Sequence, residues 1–191
     1  MKATLSFLGQ RAVILHRPGD TTDRLVRQCV VLGFRAEARW QPLRAAEDLD
    51  IVLVDADEGW DGLLPWTPAE KRVPLVALLA SEAPGRIAWA LDQGADALIT
   101  KPVTASAVYP ALVMATRRHA EARELNERVR RLEERVRLRP LVHAAVRSFM
   151  AADGCDENEA YGRLRREAMQ TRLTLEQAAA SILSSQRKQA G

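Results

Sequence analysis

Cysteine is scarce in this chain and long apolar runs are missing. Its two cysteines among 191 residues, Cys29 and Cys155, stand in no metal-ligand spacing and argue against a disulfide framework. No apolar stretch approaches the ~18 residues that a membrane helix needs, so no transmembrane segment and no membrane partner are expected. Arg11 and His16 interrupt the apolar residues near the start. The sequence therefore predicts no secretory leader and a reduced, cytoplasmic setting. What remains is ordinary for a soluble globular protein: 47% hydrophobic and 28% charged residues, in a length that suits one domain or two small ones.

The net charge of +3 hides an asymmetry. Residues 1–110 hold 12 Lys and Arg against 14 Asp and Glu, whereas residues 111–191 hold 16 against 11. A basic half points to a polyanion partner, and solvated charged helices are the plainer alternative.

Short apolar runs alternate with helical patterns through the acidic half. Strands are expected at Ala12–Leu15, Phe34–Trp40, Ile51–Val54, Leu75–Leu79 and Ala97–Ile99. Helices are expected at Asp20–Leu32, at 84–93 and from 104, with Gly33 and Gly94 closing the first two. Such alternation implies crossovers and a doubly wound parallel five-stranded sheet, whose functional residues gather at the carboxyl ends of the strands. The third strand runs into Asp55, and the fifth into Thr100-Lys101-Pro102.

A strand ending in Asp, followed later by a strand ending in Lys-Pro, resembles the receiver domain of bacterial response regulators over residues 10–118. The resemblance implies that Asp55 holds the phosphoacceptor position and Lys101 the position that contacts the phosphoryl group. A working receiver also carries two acidic residues after the first strand to hold Mg²⁺. His16 and Arg17 stand there instead, and Leu79, with Ser81 two residues on, occupies the place of a phosphate-contacting Thr or Ser. This half therefore reads as a pseudo-receiver with a degenerate metal site. Arg17 is expected to pair with Asp55, and a turn-capping role for Asp55 is the alternative. Trp40, Trp60, Trp66 and Trp89 fit either a partner surface or the core.

Residues 111–139 contain no Gly or Pro and read as a long helix. Ala122, Leu125, Val129, Leu132 and Val136 repeat at spacings of three and four, an a/d seam for a parallel dimeric coiled coil, with a single amphipathic helix packing on its own domain as the alternative. Glu124/Arg128, Glu127/Arg131 and Glu133/Arg137 flank it in the favourable i,i+4 order. Arg139-Pro140 predicts a kink or a fresh helix start. Three short helices are expected beyond it: Leu141–Ala152, one opening at Asp156 with Glu159 three on, and one opening at Thr174 with Gln177 three on.

The order Ala145, Phe149-Met150, Gly154, Asp156, Glu159-Ala160-Tyr161, Leu164-Arg165, Ala168-Met169, Leu175 and Ala179 to Ile182-Leu183 resembles the ANTAR domain. ANTAR is the RNA-binding module of transcription antitermination regulators. The full order resembles the aliphatic-amidase type: pseudo-receiver (1–112), coiled-coil dimerisation helix (113–139) and three-helix ANTAR bundle (140–191). Many members carry Ala-Lys-Gly in the first helix; here Ala145-Val146-Arg147 moves the charge about 100° around it. The resemblance implies RNA contacts from Arg147, Tyr161, Arg163, Arg165, Arg166 and Arg172, with Tyr161 either a stacking platform or a core aromatic. It implies a non-enzymatic homodimer that needs no cofactor, binds leader-transcript stem-loops and is controlled by a small-molecule-sensing protein. A phosphorylation-dependent regulator with DNA-binding output and a coiled-coil scaffold are the rival readings.

Overall fold

The structure is a computed structural model and describes residues 6–80 and 83–189. The chain forms two compact units, Met1–Arg123 and Glu124–Gly191.

The first unit is built on five parallel strands: β1 (Arg11–Leu15), β2 (Arg35–Arg39), β3 (Ile51–Asp55), β4 (Leu75–Leu79) and β5 (Ala97–Thr100), in the order β2-β1-β3-β4-β5. Pleating sends alternate side chains to opposite faces. Ala12 and Ile14, Ile51 and Leu53, and Val76 and Leu78 enter one core with α1 (Asp20–Val31) and the start of α3 (Ala105–Asp153). Val13 and Leu15, Val52 and Val54, and Leu75 and Ala77 enter a second core with α2 (Pro84–Asp92). Both faces of the central strands β1, β3 and β4 are covered, which is why these three read as continuous apolar runs.

The expected regular alternation holds for only part of the sheet. Segments 40–50 and 56–74 cross between strands without a helix. Pro42, Gly59, Gly62, Pro65, Pro68 and Pro74 deny those segments helical backbone. Their Leu43, Leu49, Leu63 and Leu64 nonetheless enter the second core, so the loops cover the sheet as helices would. Cys29 is part of the first core, where burial pushes its thiol up to about 12, so it is a packing residue rather than a reactive one. His119 is also buried. Its Nε2–H donates to the Arg72 carbonyl at 3.0 Å, and burial holds the ring below the usual imidazole range.

The fresh helix start, one of the two expectations at Arg139-Pro140, does not occur: α3 is continuous from Ala105 to Asp153 and absorbs the helix expected at 141–152. Proline here removes the N–H that would bond the carbonyl of Val136 and crowds that carbonyl with its ring, while both residues are exposed, so water can satisfy the carbonyl.

In the second unit, α4 (Glu157–Thr171) and α5 (Leu175–Gln189) close against the last turns of α3. Val142, Ala145, Val146, Phe149, Ala160, Leu164, Ala168, Ala178 and Ala179 form the core, and its alanines allow close helix approach. Both expected capping boxes form. Glu159 N–H donates to Asp156 Oδ1 at 2.8 Å, and Asp156 N–H to Glu159 Oε2 at 3.4 Å. Gln177 N–H donates to Thr174 Oγ1 at 3.2 Å, and Thr174 N–H returns to Gln177 Oε1 at 3.2 Å. Gly154 links α3 to α4 at φ 65°, a conformation that costs glycine little. Asp156→Ala is expected to destabilise this unit by about 1 kcal/mol, read as a lower urea midpoint by far-UV circular dichroism.

Candidate functional site

The carboxyl ends of β1, β3 and β5 bring His16, Asp55 and Lys101 together. Asp55 is 2% exposed. Lys101 Nζ lies 2.6 Å from Asp55 Oδ1, and the Asp57 N–H donates to the same oxygen at 3.1 Å. His16 Nε2 stands 3.2 Å from Asp55 Oδ2, within ion-pair range but without the alignment of a hydrogen bond. The ring is fixed from behind, where Nδ1 lies 2.8 Å from the Arg17 carbonyl and 3.0 Å from Thr22 Oγ1.

The expected Arg17–Asp55 pair does not form. Arg17 pairs with Glu58 and stands 6.0 Å from the Trp40 ring centre. The reason is geometric: His16 follows β1 directly and turns its ring inward, so Arg17, one residue on, points out to the rim. Leu79 packs into the second core, while Ser81 lies outside the described residues.

Sequence reasoning passed over Asp57. It reaches back so that Oδ2 lies 3.0 Å from Lys101 Nζ and accepts the Ala80 N–H at 2.7 Å. Its signal was the spacing of a second carboxylate two residues beyond Asp55, in the turn that leaves β3.

These residues do not fit Mg²⁺. An imidazole and a guanidinium replace the carboxylates a hard cation needs, and Lys101 already stands between Asp55 and Asp57. Among the described residues no three His, Cys, Asp or Glu side chains gather as a metal site. Trp40, Trp66 and Trp89 follow the core reading. Trp66 and Trp89 pack on the second core, and Gly59 is required where it is because a Cβ there would lie 2.2 Å from the Trp89 ring. Trp60 is partly exposed and meets Trp40 edge-to-face at 5.0 Å.

In the second unit α4 turns Ala160, Leu164 and Ala168 inward, which leaves Tyr161 exposed on the flank and Arg165, Arg166 and Met169 facing away from the core. Tyr161 is 46% exposed, so it is not a core aromatic. Arg147 and Arg172 are exposed too, and Arg172 ends α4 in the left-handed region at φ 56°. Arg163 differs from the outward position expected of it. It pairs with Asp153 and lies over the Phe149 ring at 4.3 Å, pinning α4 to the end of α3. The seam Ala122, Leu125, Val129, Leu132 and Val136 is exposed along its length, with Leu125 at 62% and Val136 at 71%.

A receiver-like sheet with a carboxylate at the acceptor position, and no cluster of metal ligands among the described residues, stands in one chain with a capped helical unit bearing an arginine face. A family model described as AmiR, N-terminal matches residues 10–116, and one described as ANTAR domain matches residues 130–183. The chain is 30% identical over 183 residues to the aliphatic amidase regulator of Pseudomonas aeruginosa, covering 92% of each. It is 34% identical over 116 residues to the transcriptional regulatory protein PdtaR of Mycobacterium tuberculosis, covering 60% of this chain and 57% of PdtaR. The chain belongs to the ANTAR-domain transcription regulators of the aliphatic-amidase-regulator type. Among solved structures, the response regulator StyR matches with TM-score 0.55 at 15% identity, over 92% of this chain and 100% of StyR. A receiver domain of an HD-domain protein from Pseudomonas fluorescens matches with TM-score 0.50 at 16% identity, over 65% of this chain and 98% of that domain. These two likenesses establish shared fold alone. Among the described residues no helix is long and apolar enough to cross a membrane.

Proposed function

We propose that this regulator binds RNA as a homodimer and stabilises leader-transcript stem-loops that exclude a terminator hairpin. Family membership supports RNA-binding antitermination in general. The observation that carries the finer reading is the exposed face of α4, where Tyr161, Arg165 and Arg166 stand free of the core, with Arg172 following. Guanidinium planes and a tyrosine ring suit unstacked loop bases and phosphates. Arg147 adds charge from the end of α3, and Arg163 serves that surface by holding α4 in place. Residues 113–139 would pair two copies and 140–191 would present two RNA surfaces. Residues 1–112 would receive control from a small-molecule-sensing protein, since the Asp55 site lacks the groups that phosphorylation needs. Chemistry on the RNA is not required, only preferential binding of one RNA fold.

The test is titration of the protein onto a two-stem-loop leader RNA at two salt concentrations, with a loop-scrambled control. Loop-dependent, salt-sensitive binding supports the reading, and equal binding to both RNAs sinks it. Arg166→Ala is expected to weaken binding by about 1 kcal/mol and to reduce the salt slope by about one, if it contacts phosphate as DNA-binding basic residues do.

A further inference from the structure

The Asp55 site holds one more anion than its acceptor position requires. Lys101 Nζ lies between two carboxylates, 2.6 Å from Asp55 Oδ1 and 3.0 Å from Asp57 Oδ2. The same Asp57 oxygen accepts the Ala80 N–H at 2.7 Å. These two donors come from separate strand ends: Ala80 follows β4 and Lys101 follows β5. The sheet fixes both, because β4 and β5 pair through Leu79 and Thr100, and the Lys101 N–H donates to the Leu79 carbonyl at 2.7 Å. A backbone N–H and an ammonium converging on one oxygen form a seat for an oxyanion. Asp57 reaches it from the turn after β3, which is held by its own N–H on Asp55 Oδ1.

We propose that the Asp57 carboxylate is a tethered anion that fills a preformed oxyanion seat made by the Ala80 N–H and the Lys101 ammonium. The seat takes a free tetrahedral oxyanion, inorganic phosphate or sulfate, only when that carboxylate is removed. The chain thereby carries its own substitute for the group that a phosphorylated site would place beside Lys101. The lysine is neutralised in the resting protein, and an added phosphoryl group on Asp55 would meet a carboxylate already in place. Two features make the occupant Asp57 rather than solvent anion. Tethering gives the carboxylate a high effective concentration, and Asp57 is only 19% exposed in its side chain, so a free ion would have to displace it.

The experiment is sulfate titration of the full-length protein, and of Asp57→Ala, against chloride at matched ionic strength. It follows the Ala80 backbone amide by ¹⁵N–¹H NMR and the melting temperature in parallel. The variant is expected to show a saturable Ala80 shift and a rise in melting temperature with sulfate. The native chain is expected to respond at least about tenfold more weakly at each concentration. Phosphate should reproduce the effect. Should Asp57→Ala fold only with sulfate present, that recovery supports the seat directly. Should it not fold at all, Asp57→Ser is read by the same criteria. An equal response of native and variant chains overturns the proposal, because the ion would then be adventitious. A folded variant whose Ala80 amide ignores both anions overturns it as well. Neither result depends on whether the protein binds RNA.

Discussion

On the proposed coiled-coil dimer, Leu132→Asp is expected to leave a monomer at micromolar concentration and to abolish the tight RNA binding proposed for the pair. Leu132 is the fourth position of the Ala122–Val136 stripe and is 51% exposed, with Val129 and Val136 beside it. Residues 121–137 are exposed throughout, so no core among the described residues takes up these side chains. A stripe of this width, flanked by charges such as the Glu127–Arg131 pair at 3.4 Å, suits a parallel partner helix rather than a broad core. Burying one leucine contributes about 1.5–3 kcal/mol, and two-fold symmetry counts the residue twice. Aspartate loses that contribution and adds two facing carboxylates in an apolar seam. A loss of at least about 3 kcal/mol weakens the dimer roughly a hundredfold or more. The helix itself is expected to survive, because the residue is exposed and aspartate costs only a few tenths of a kcal/mol in helix propensity, about 0.5. Light scattering behind size-exclusion chromatography reads the mass, and circular dichroism checks the helix. A dimer that persists with unchanged affinity refutes the seam.

The parts legible in the sequence were those fixed by short-range pattern. Continuous apolar runs marked the central strands β1, β3 and β4, because strands covered on both faces need no alternation. The capping boxes at Asp156 and Thr174 form because their partners lie three residues away. The misreadings arose where tertiary context decides. Pro140 predicted a kink or a fresh helix start, and the fresh start does not occur: burial of the first turns of α3 in one core and of its last turns in another offsets a proline that costs about 3 kcal/mol. Arg17 looked like the partner of Asp55 because the charges match, yet the direction in which β1 ends puts the ring of His16 there instead. Asp57 carried no pattern beyond its spacing from Asp55. Its role depends on Ala80 and Lys101, 23 and 44 residues away in sequence and adjacent only in the folded sheet. Arg163 and Arg166 look alike in sequence, and only the packing of Phe149 and Asp153 separates them.

Asp55→Ala is expected to destabilise the receiver-like unit by about 3 kcal/mol, and the direction of the change matters more than its size. In an acceptor site that gathers several carboxylates around a metal position, like charges repel, and deleting one carboxylate relieves that repulsion. Here the balance is reversed. Asp55 accepts Lys101 at 2.6 Å and the Asp57 N–H at 3.1 Å, and faces the His16 ring at 3.2 Å. Alanine takes all three contacts away and leaves the ammonium of Lys101, 16% exposed in its side chain, with Asp57 as its remaining carboxylate. Breaking a buried pair costs about 3–5 kcal/mol, and the surviving Asp57 contact places this case near the lower end. Against a total stability of about 5–15 kcal/mol that loss moves the unfolding midpoint clearly. All four tryptophans lie between residues 40 and 89, so fluorescence during urea unfolding reports this unit and not the helical one. A lower midpoint with unchanged slope fits a closed, pre-neutralised site. A variant as stable as the native chain, or more stable, would mean that the Asp55 network does not hold the strand ends together. The regulator would then retain an acceptor site free to change its charge.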